Sequence, residues 1–420
     1  MRTYLIAHVW GAFLISCALL SDPTNATSSP ALDHDQSFPV PPAESFFSIR
    51  NVPDNEVTYV QTHNSDSESW KRLSWSSPGN QPDTTVVLLN WSRLENVILQ
   101  VSVYCGPLLR GIHFSTTKCD RERVEIFNSP SNVYFQARFI GCVQSHSRFC
   151  FLQDDDYITR PEILRNIHAS FLLAAFTARS PSAIILLPSH DHLETELLDV
   201  SVPYPGPRTG LVYTSFACLG HGTFLLQSQA AAYLSLLHDL KLSEEEMNIA
   251  DNYFTLLNAR SPRIWLTHTI ELSDASSTAP FTVGVEGTER NWRHIEHAMV
   301  YLNTALLRDA GALSTDDIRP SGPGASRIYT APCIQDACTI SSNITMIPSW
   351  CNLPCIWTDD VSMRSLQAKR LAQFGHERAS WYIKHPLSNA VDGNVETAFR
   401  SIGRKWREHS HRRLKSMTMI

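Results

Sequence analysis

The stretch "DTTVVLLNWSRLENVILQVSVY", residues 83–104, constrains the fold more than any other part of the chain. Thr85 to Leu89 is a continuous run of branched and aliphatic residues, the pattern of a short strand buried on both faces. Leu94, Val97, Ile98 and Val101 then recur at helical spacing, so a helix with one apolar face follows the strand. A strand that leads at once into such a helix is the opening unit of an α/β domain. The pattern continues with strand-like runs "GIHFS" (111–115), "VEIFN" (124–128), "FCFLQ" (149–153) and "AIILLP" (183–188). Between the last two, Thr159 is placed to cap a helix, Pro161 suits its first turn, and Ile163, Ile167 and Phe171 share one face. Strands alternating with helices predict an α/β fold: a mostly parallel sheet flanked by helices.

The chain has 420 residues, 43% of them apolar, enough for one large domain of roughly 200–250 residues with flanking pieces. A net charge of -6 argues against a nucleic-acid partner, whose backbone calls for a basic patch or stripe. An anionic ligand must therefore be handled locally, by a metal ion or a few arginines.

The flanks carry a different composition. Arg2 precedes an apolar run from Tyr4 to Ile15 with small residues Ser16 and Ala18 behind it, which predicts a signal peptide or signal anchor over 1–20. Residues 21–82 read as a low-order stalk rich in Ser, Pro, Asp and Asn. The sequons at Asn25, Asn90 and Asn343 fit a secretory route, Golgi or ER lumen, with the product secreted or held in a membrane by its N-terminus. In that compartment the close pairs Cys333/Cys338 and Cys351/Cys355 are candidate disulfides. The α/β domain spans 83–310. A linker and cysteine-bearing segment covers 311–388, and 389–420 ends in a basic tail, so the C-terminal extension is expected to be irregular.

The chemistry concentrates at "FCFLQDDDYITRP", where Asp154, Asp155 and Asp156 follow a buried strand. Three adjacent carboxylates repel one another unless something positive lies between them. The plain alternative is a solvated turn, or acids drawn to the start of the next helix. In open α/β sheets, however, ligands collect at the carboxyl ends of strands. Oxygen ligands at D-x-D spacing suit Mg²⁺ or Mn²⁺, which neutralise a diphosphate.

Further along, Asp251 falls beside the stripe of Met247, Ala250, Phe254 and Leu257, where a carboxylate can act as acid or base or pair with an arginine. Ser243 and Glu246 have capping-box spacing, which competes with a catalytic role for Glu246. Arg290, Arg293 and His294 open a helix after "VGVEG". The arginines are candidates for phosphate oxygens and His294 for a metal shell. His221 lies between Gly220 and Gly222, where a backbone can approach a substrate.

Taken in order, the strand ending near Asn90 and Arg93, "SPSNVYFQARFIGCVQSHSRFCFLQDDDYI", "YTSFACLGHGTFLLQSQAAAYL" and "LSEEEMNIADNYFTLL" resemble a GT-A type, exostosin-like glycosyltransferase and a group of fungal secretory proteins, over about residues 84–305. The resemblance implies a metal-dependent transfer of a sugar from a nucleotide diphosphate to a hydroxyl of a glycan or glycoprotein. The acceptor-side acidic cluster departs from the family's own sequence. With the residue readings above, the candidate sites are Asn90, Arg93, Arg138, Asp154, Asp155, Arg290 and Arg293 at the donor, Asp154, Asp156 and His294 at Mn²⁺ or Mg²⁺, His221 at the acceptor, and Asp251 or Glu246 in catalysis. "NAVDGNVETAFRS" (389–401) separately resembles the start of a discoidin-type β-sandwich, far short of the length that domain needs. A non-catalytic carbohydrate-binding or cell-wall protein is the alternative. A phosphoester hydrolase is disfavoured, because it calls for a second dense cluster of metal ligands.

Overall fold

The computed structural model describes residues 2–9, 57–61, 71–75, 83–89, 93–105, 124–129, 133–145, 147–177, 182–203, 210–258, 262–272, 285–308, 328–334, 338–344, 346–347, 356–401 and 418–419. It is a mixed α/β architecture. The run Thr84–Leu89 and the run Phe149–Gln153 form neighbouring parallel strands, with Val86 opposite Phe151. Every side chain in both is buried, as continuous apolar runs require of strands covered on two faces.

These strands lie inside a ten-stranded sheet. From Phe149–Gln153 the sheet continues through Thr223–Leu226, Ile184–Leu187, Arg263–Leu266 and Tyr329–Pro332 to Thr339–Ser342 and Thr418–Met419. On the other side of Thr84–Leu89 come Arg2–Val9 and then Val124–Ser129. Arg2–Val9, Thr223–Leu226 and Thr339–Ser342 run against the remaining strands, which share one direction, so the sheet is mostly parallel.

Period-two alternation divides each strand between two cores. Val87, Cys150, Leu152, Ile185, Leu187 and Leu225 face one layer, which holds helices Ala137–Gln144, Gln227–Asp239 and Val285–Arg308. Val86, Leu88, Phe149, Phe151, Ile184 and Phe224 face the other, built on helices Leu94–Cys105 and Pro161–Thr177. Fully burying Phe149 or Phe151 contributes about 1.5–3 kcal/mol each, so the strand that carries the acids is among the best anchored. The disulfide Cys142–Cys150 ties this strand to helix Ala137–Gln144.

Arg2–Val9, within the expected signal segment, pairs antiparallel with both Thr84–Leu89 and Val124–Ser129. The expected strand at 111–115 lies outside the described residues, as does most of the stalk; Val57–Gln61 and Lys71–Trp75 pair as a short antiparallel ribbon. Thr159 does not cap the following helix, whose first bonds run from Ile163 N and Leu164 N to Arg160 O. The Thr159 hydroxyl is buried and serves Gln153 and His221 instead.

The described residues of the C-terminal extension include strands and helices. Tyr329–Pro332 joins the sheet beside Arg263–Leu266, and Cys333–Cys338 closes the turn that follows, as their spacing predicts. Helices Met363–Phe374 and His376–Lys384 cover that end through Phe374 and Tyr382, which with Leu387 beyond them pack with Tyr329, Ala331 and Ile340. In the discoidin-like string, Leu387–Ala390 is a single 3₁₀ turn, and Asp392 accepts from Asn394 N and the Thr397 hydroxyl. Cys351, Cys355, Asn25 and Asn90 lie outside the described residues, whereas Asn343 is exposed.

Candidate functional site

Strand direction decides what meets the three acids. Thr84–Leu89 and Ile184–Leu187 run parallel to Phe149–Gln153 in direction, so the residues after all three emerge at one sheet edge. That edge receives Arg93 from the first, Asp154–Asp156 from the second and Asp191 from the helix Ser189–Leu197 after the third. Thr223–Leu226 runs the other way, so the loop entering it, with Gly220 and His221, reaches the same edge.

The positive charge between the acids is two arginines. Arg93 Nη1 donates to Asp155 Oδ1 at 2.9 Å and lies 3.5 Å from Asp156 Oδ2. Arg138, only 1% exposed, donates through Nη2 to Asp154 Oδ1 and through Nη1 to Asp251 Oδ2 at 3.3 Å. Burial lowers the affinity of the Arg138 guanidinium for its proton, but Asp154 and Asp251 more than offset this and the net shift is upward.

The balance is incomplete. Burial pushes the Asp156 carboxyl up to about 7, with Asp154 and Asp155 adding to the shift and Arg93 opposing it. Its Oδ1 is buried with no hydrogen-bond partner among the described residues. Asp251 is raised to about 6, again by burial, against the pull of Arg138, and its Oδ1 is likewise buried and without a partner.

Beneath the acids runs a polar network that sequence reasoning missed. Gln153, fully buried at the strand end, accepts from the Tyr104 hydroxyl and donates to Thr159 Oγ1 at 2.8 Å and His221 O at 3.2 Å. Gln100 Nε2 donates to the carbonyls of Asp154 and Tyr157. Leu272 N donates to Asp156 O at 2.8 Å, where Ile270–Glu271 pairs with Tyr157–Ile158. The only sequence signal was a pair of glutamines at buried positions of a strand and a helix, which become legible once partners are known.

The glycine loop closes over this network. Asp154 N donates to Gly220 O at 3.0 Å, and a Cβ at Gly220 would lie 2.3 Å from Asp154 Oδ2. Gly222 has φ +141°, and a Cβ there would lie 2.7 Å from Phe151 Cζ, so a side chain is excluded at 222, whereas one at 220 would have to displace the Asp154 carboxylate. Between them His221 is buried, its Nε2 hydrogen-bonded to Asp191 Oδ2 and its ring edge-on to Tyr157.

The stripe containing Asp251 is two short helices rather than one. Glu244–Asn248 ends in tight turns at Ile249 and Ala250, and Asp251 begins Asp251–Leu257. This break is what aims Asp251 at Arg138. Glu246 belongs to the capping box that its spacing predicts: Ser243 N donates to Glu246 Oε2 at 2.8 Å, and Glu246 N donates to Ser243 Oγ. His297 and the Tyr301 hydroxyl take its other oxygen at 3.1 Å. Burial alone would raise this carboxyl, but the Ser243, Tyr301 and His297 contacts lower it overall.

His294 is buried on the helix Val285–Arg308, with Nδ1 on the Tyr253 hydroxyl at 2.7 Å. Burial, with Arg293 beside it, lowers it to about 4. Arg293 pairs with Glu245 in solvent, and Arg290 is half-buried on the same helix. The ion pairs thus form two neighbouring sets, Arg93 with Asp155 and Asp156, and Arg138 with Asp154 and Asp251, which meet along the acid run. His221 is held by Asp191, and Glu246, Arg293 and His294 lie in a separate network.

Among the described residues no group of three or more His, Cys, Asp or Glu side chains is gathered as a metal-binding set. Mg²⁺ and Mn²⁺ do not require one, because one or two carboxylates and the substrate phosphates complete their shell. Asp156 fits that use, having an unpartnered buried oxygen and two acidic neighbours that disfavour its own charge. No protein-family model and no curated protein matches this chain.

Proposed function

We propose that the chain is a metal-dependent, GT-A type glycosyltransferase that moves a sugar from a nucleotide diphosphate to a hydroxyl of a glycan or glycoprotein in the secretory pathway. The observation that carries this is the meeting of Asp154–Asp156, at the carboxyl end of a central strand, with Asp251 across Arg138. Donor-side and acceptor-side carboxylates, distant in sequence, share one guanidinium.

In this reading Asp156, with Asp154 beside it, holds the cation, which when bound supplies charge for the departing diphosphate. Arg93 keeps Asp155 in place against the donor ribose or sugar. Asp251, raised to about 6, is poised to accept a hydroxyl proton near neutral pH or to orient that hydroxyl. Gly220 sets the position of Asp154 through its carbonyl, which accepts from Asp154 N.

The test is release of nucleoside diphosphate from a panel of UDP- and GDP-sugars with and without Mn²⁺. Mn²⁺-dependent release from one donor supports the proposal, and no binding or turnover of any donor overturns it. Expression in a eukaryotic cell checks the route: glycosidase treatment should lower the mass through the exposed Asn343 sequon. No helix among the described residues is long and apolar enough to cross a membrane.

One observation favours a second reading. Arg93 and Arg138 already neutralise much of the acidic cluster, as a carbohydrate-binding protein without turnover would allow. That protein would bind glycans and ignore Mn²⁺ in the same assay.

A further inference from the structure

Arg138 does not have the surroundings of a donor contact. Its side chain is 1% exposed, and the Phe135 ring lies 4.8 Å from its guanidinium carbon. Its two terminal nitrogens are divided between Asp154 and Asp251. A guanidinium presents its donors as a rigid planar fork, so one side chain can span two carboxylates where an ammonium serves as a point charge.

The fork is held from behind. Arg138 and Cys142 are one helical turn apart, and Cys142 is bonded to Cys150 in the strand that ends in the acids. Helix and strand therefore keep their spacing, and Arg138 stays within reach of Asp154.

A dication entering beside Asp156 meets an Asp154 that already has a counter-ion. We propose that Arg138 is a resident counter-ion which the cation must displace from Asp154, leaving the guanidinium to Asp251. This deepens the proposed function and rests on it. The displaced contact is a charge-assisted hydrogen bond, so it opposes the cation when the cation arrives alone. A diphosphate that brings its own negative charge offsets that opposition, so metal and donor bind together. Arg138 is then a positioning residue, which holds Asp154 before the donor binds and Asp251 afterwards.

The experiment is calorimetric titration of the full chain with Mn²⁺ alone, and then with Mn²⁺ plus UDP, for wild type, Arg138→Lys, Arg138→Gln and Asp251→Asn. Melting curves establish which variants are folded. For Mn²⁺ alone, Arg138→Gln should bind about 10-fold tighter than wild type, the scale of one lost charge-assisted hydrogen bond. Arg138→Lys retains the charge but cannot bridge both acids, and should bind about 3-fold tighter. Asp251→Asn leaves the whole fork to Asp154 and should bind Mn²⁺ more weakly. The Lys variant separates displacement from simple charge repulsion, and it carries the test if the Gln variant does not fold. A wild type that binds Mn²⁺ with UDP, while Arg138→Lys matches it for Mn²⁺ alone, overturns the displacement and leaves the proposed function standing. A wild type that binds neither Mn²⁺ nor UDP overturns both.

Discussion

The chain contains two acidic triplets, Asp154–Asp156 and Glu244–Glu246, and they end in opposite electrostatic states. The glutamates open a helix, where the dipole and the free N–H groups welcome negative charge, and two of the three are exposed. The third, Glu246, has its oxygens served by Ser243, His297 and Tyr301 and is lowered below the ordinary range. The aspartates instead end a buried strand, where two arginines only partly balance them and Asp156 is pushed up to about 7. One triplet is satisfied within the fold, and the other is left short of positive charge. A run of acids thus acquires its meaning from the element it terminates or begins.

Breaking the second triplet's balance should give the largest effect. Arg138→Ala leaves Asp154 and Asp251 without their shared partner, and loss of one member of a buried pair costs about 3–5 kcal/mol. Chemical denaturation should show that loss, and an unchanged midpoint would mean that the acids find another counter-ion.

Asp251→Asn comes next, since Arg138 keeps Asp154 as a partner in that variant. Turnover on whichever donor of the panel is used should fall by about 10²- to 10⁴-fold, the scale of lost acid–base help. The melting temperature should move by only a few degrees. A fully active Asn variant would remove Asp251 from the mechanism.

The two triplets should also differ in how stability depends on pH. Asp156 and Asp251 are both raised in the fold, so the folded state holds their protons more tightly than the unfolded chain does. Without divalent cation, their contribution is most favourable below about pH 4, the ordinary carboxylate range. It is lost as pH rises through about 6 for Asp251 and about 7 for Asp156. Melting temperature should therefore decline between these limits, and the decline should flatten in Asp156→Asn. Glu246, lowered rather than raised, contributes the opposite slope at more acidic pH.

The satisfied triplet should respond weakly. Glu246→Ala removes half of a capping box and should cost about 0.5–2 kcal/mol in denaturant while sparing turnover. Arg293→Ala breaks an exposed pair with Glu245 and should change stability by about 0–1 kcal/mol. A large loss of activity in either variant would move chemistry to this second network.

The elements of the central domain were legible where one period dominates. Thr84–Leu89, Phe149–Gln153 and Ile184–Leu187 are strands, and Leu94–Cys105 and Pro161–Thr177 are helices, because their buried faces are continuous in sequence. What could not be read depends on contacts across long separations. Arg138 and Asp251 are 113 positions apart, and Gln153 and His221 are 68 apart, so neither pairing leaves a local trace. The strand Arg2–Val9 was not legible because an apolar run preceded by a basic residue suits a leader as well as a strand paired on both sides. Cys142 and Cys150 were overlooked as partners because one is in a helix and the other in a strand. The break at Ile249–Ala250 was invisible because the apolar spacing runs straight through it.

In the proposed function, Asp156 is the acid left for a cation and its diphosphate. Calorimetric titration of UDP, with Mn²⁺ present and then removed by chelation, into wild type and Asp156→Ala tests it most directly. Wild type should bind UDP in a Mn²⁺-dependent way, and a variant that melts as a folded protein should not bind it. Binding of equal strength in both, or binding to wild type that ignores Mn²⁺, would contradict it.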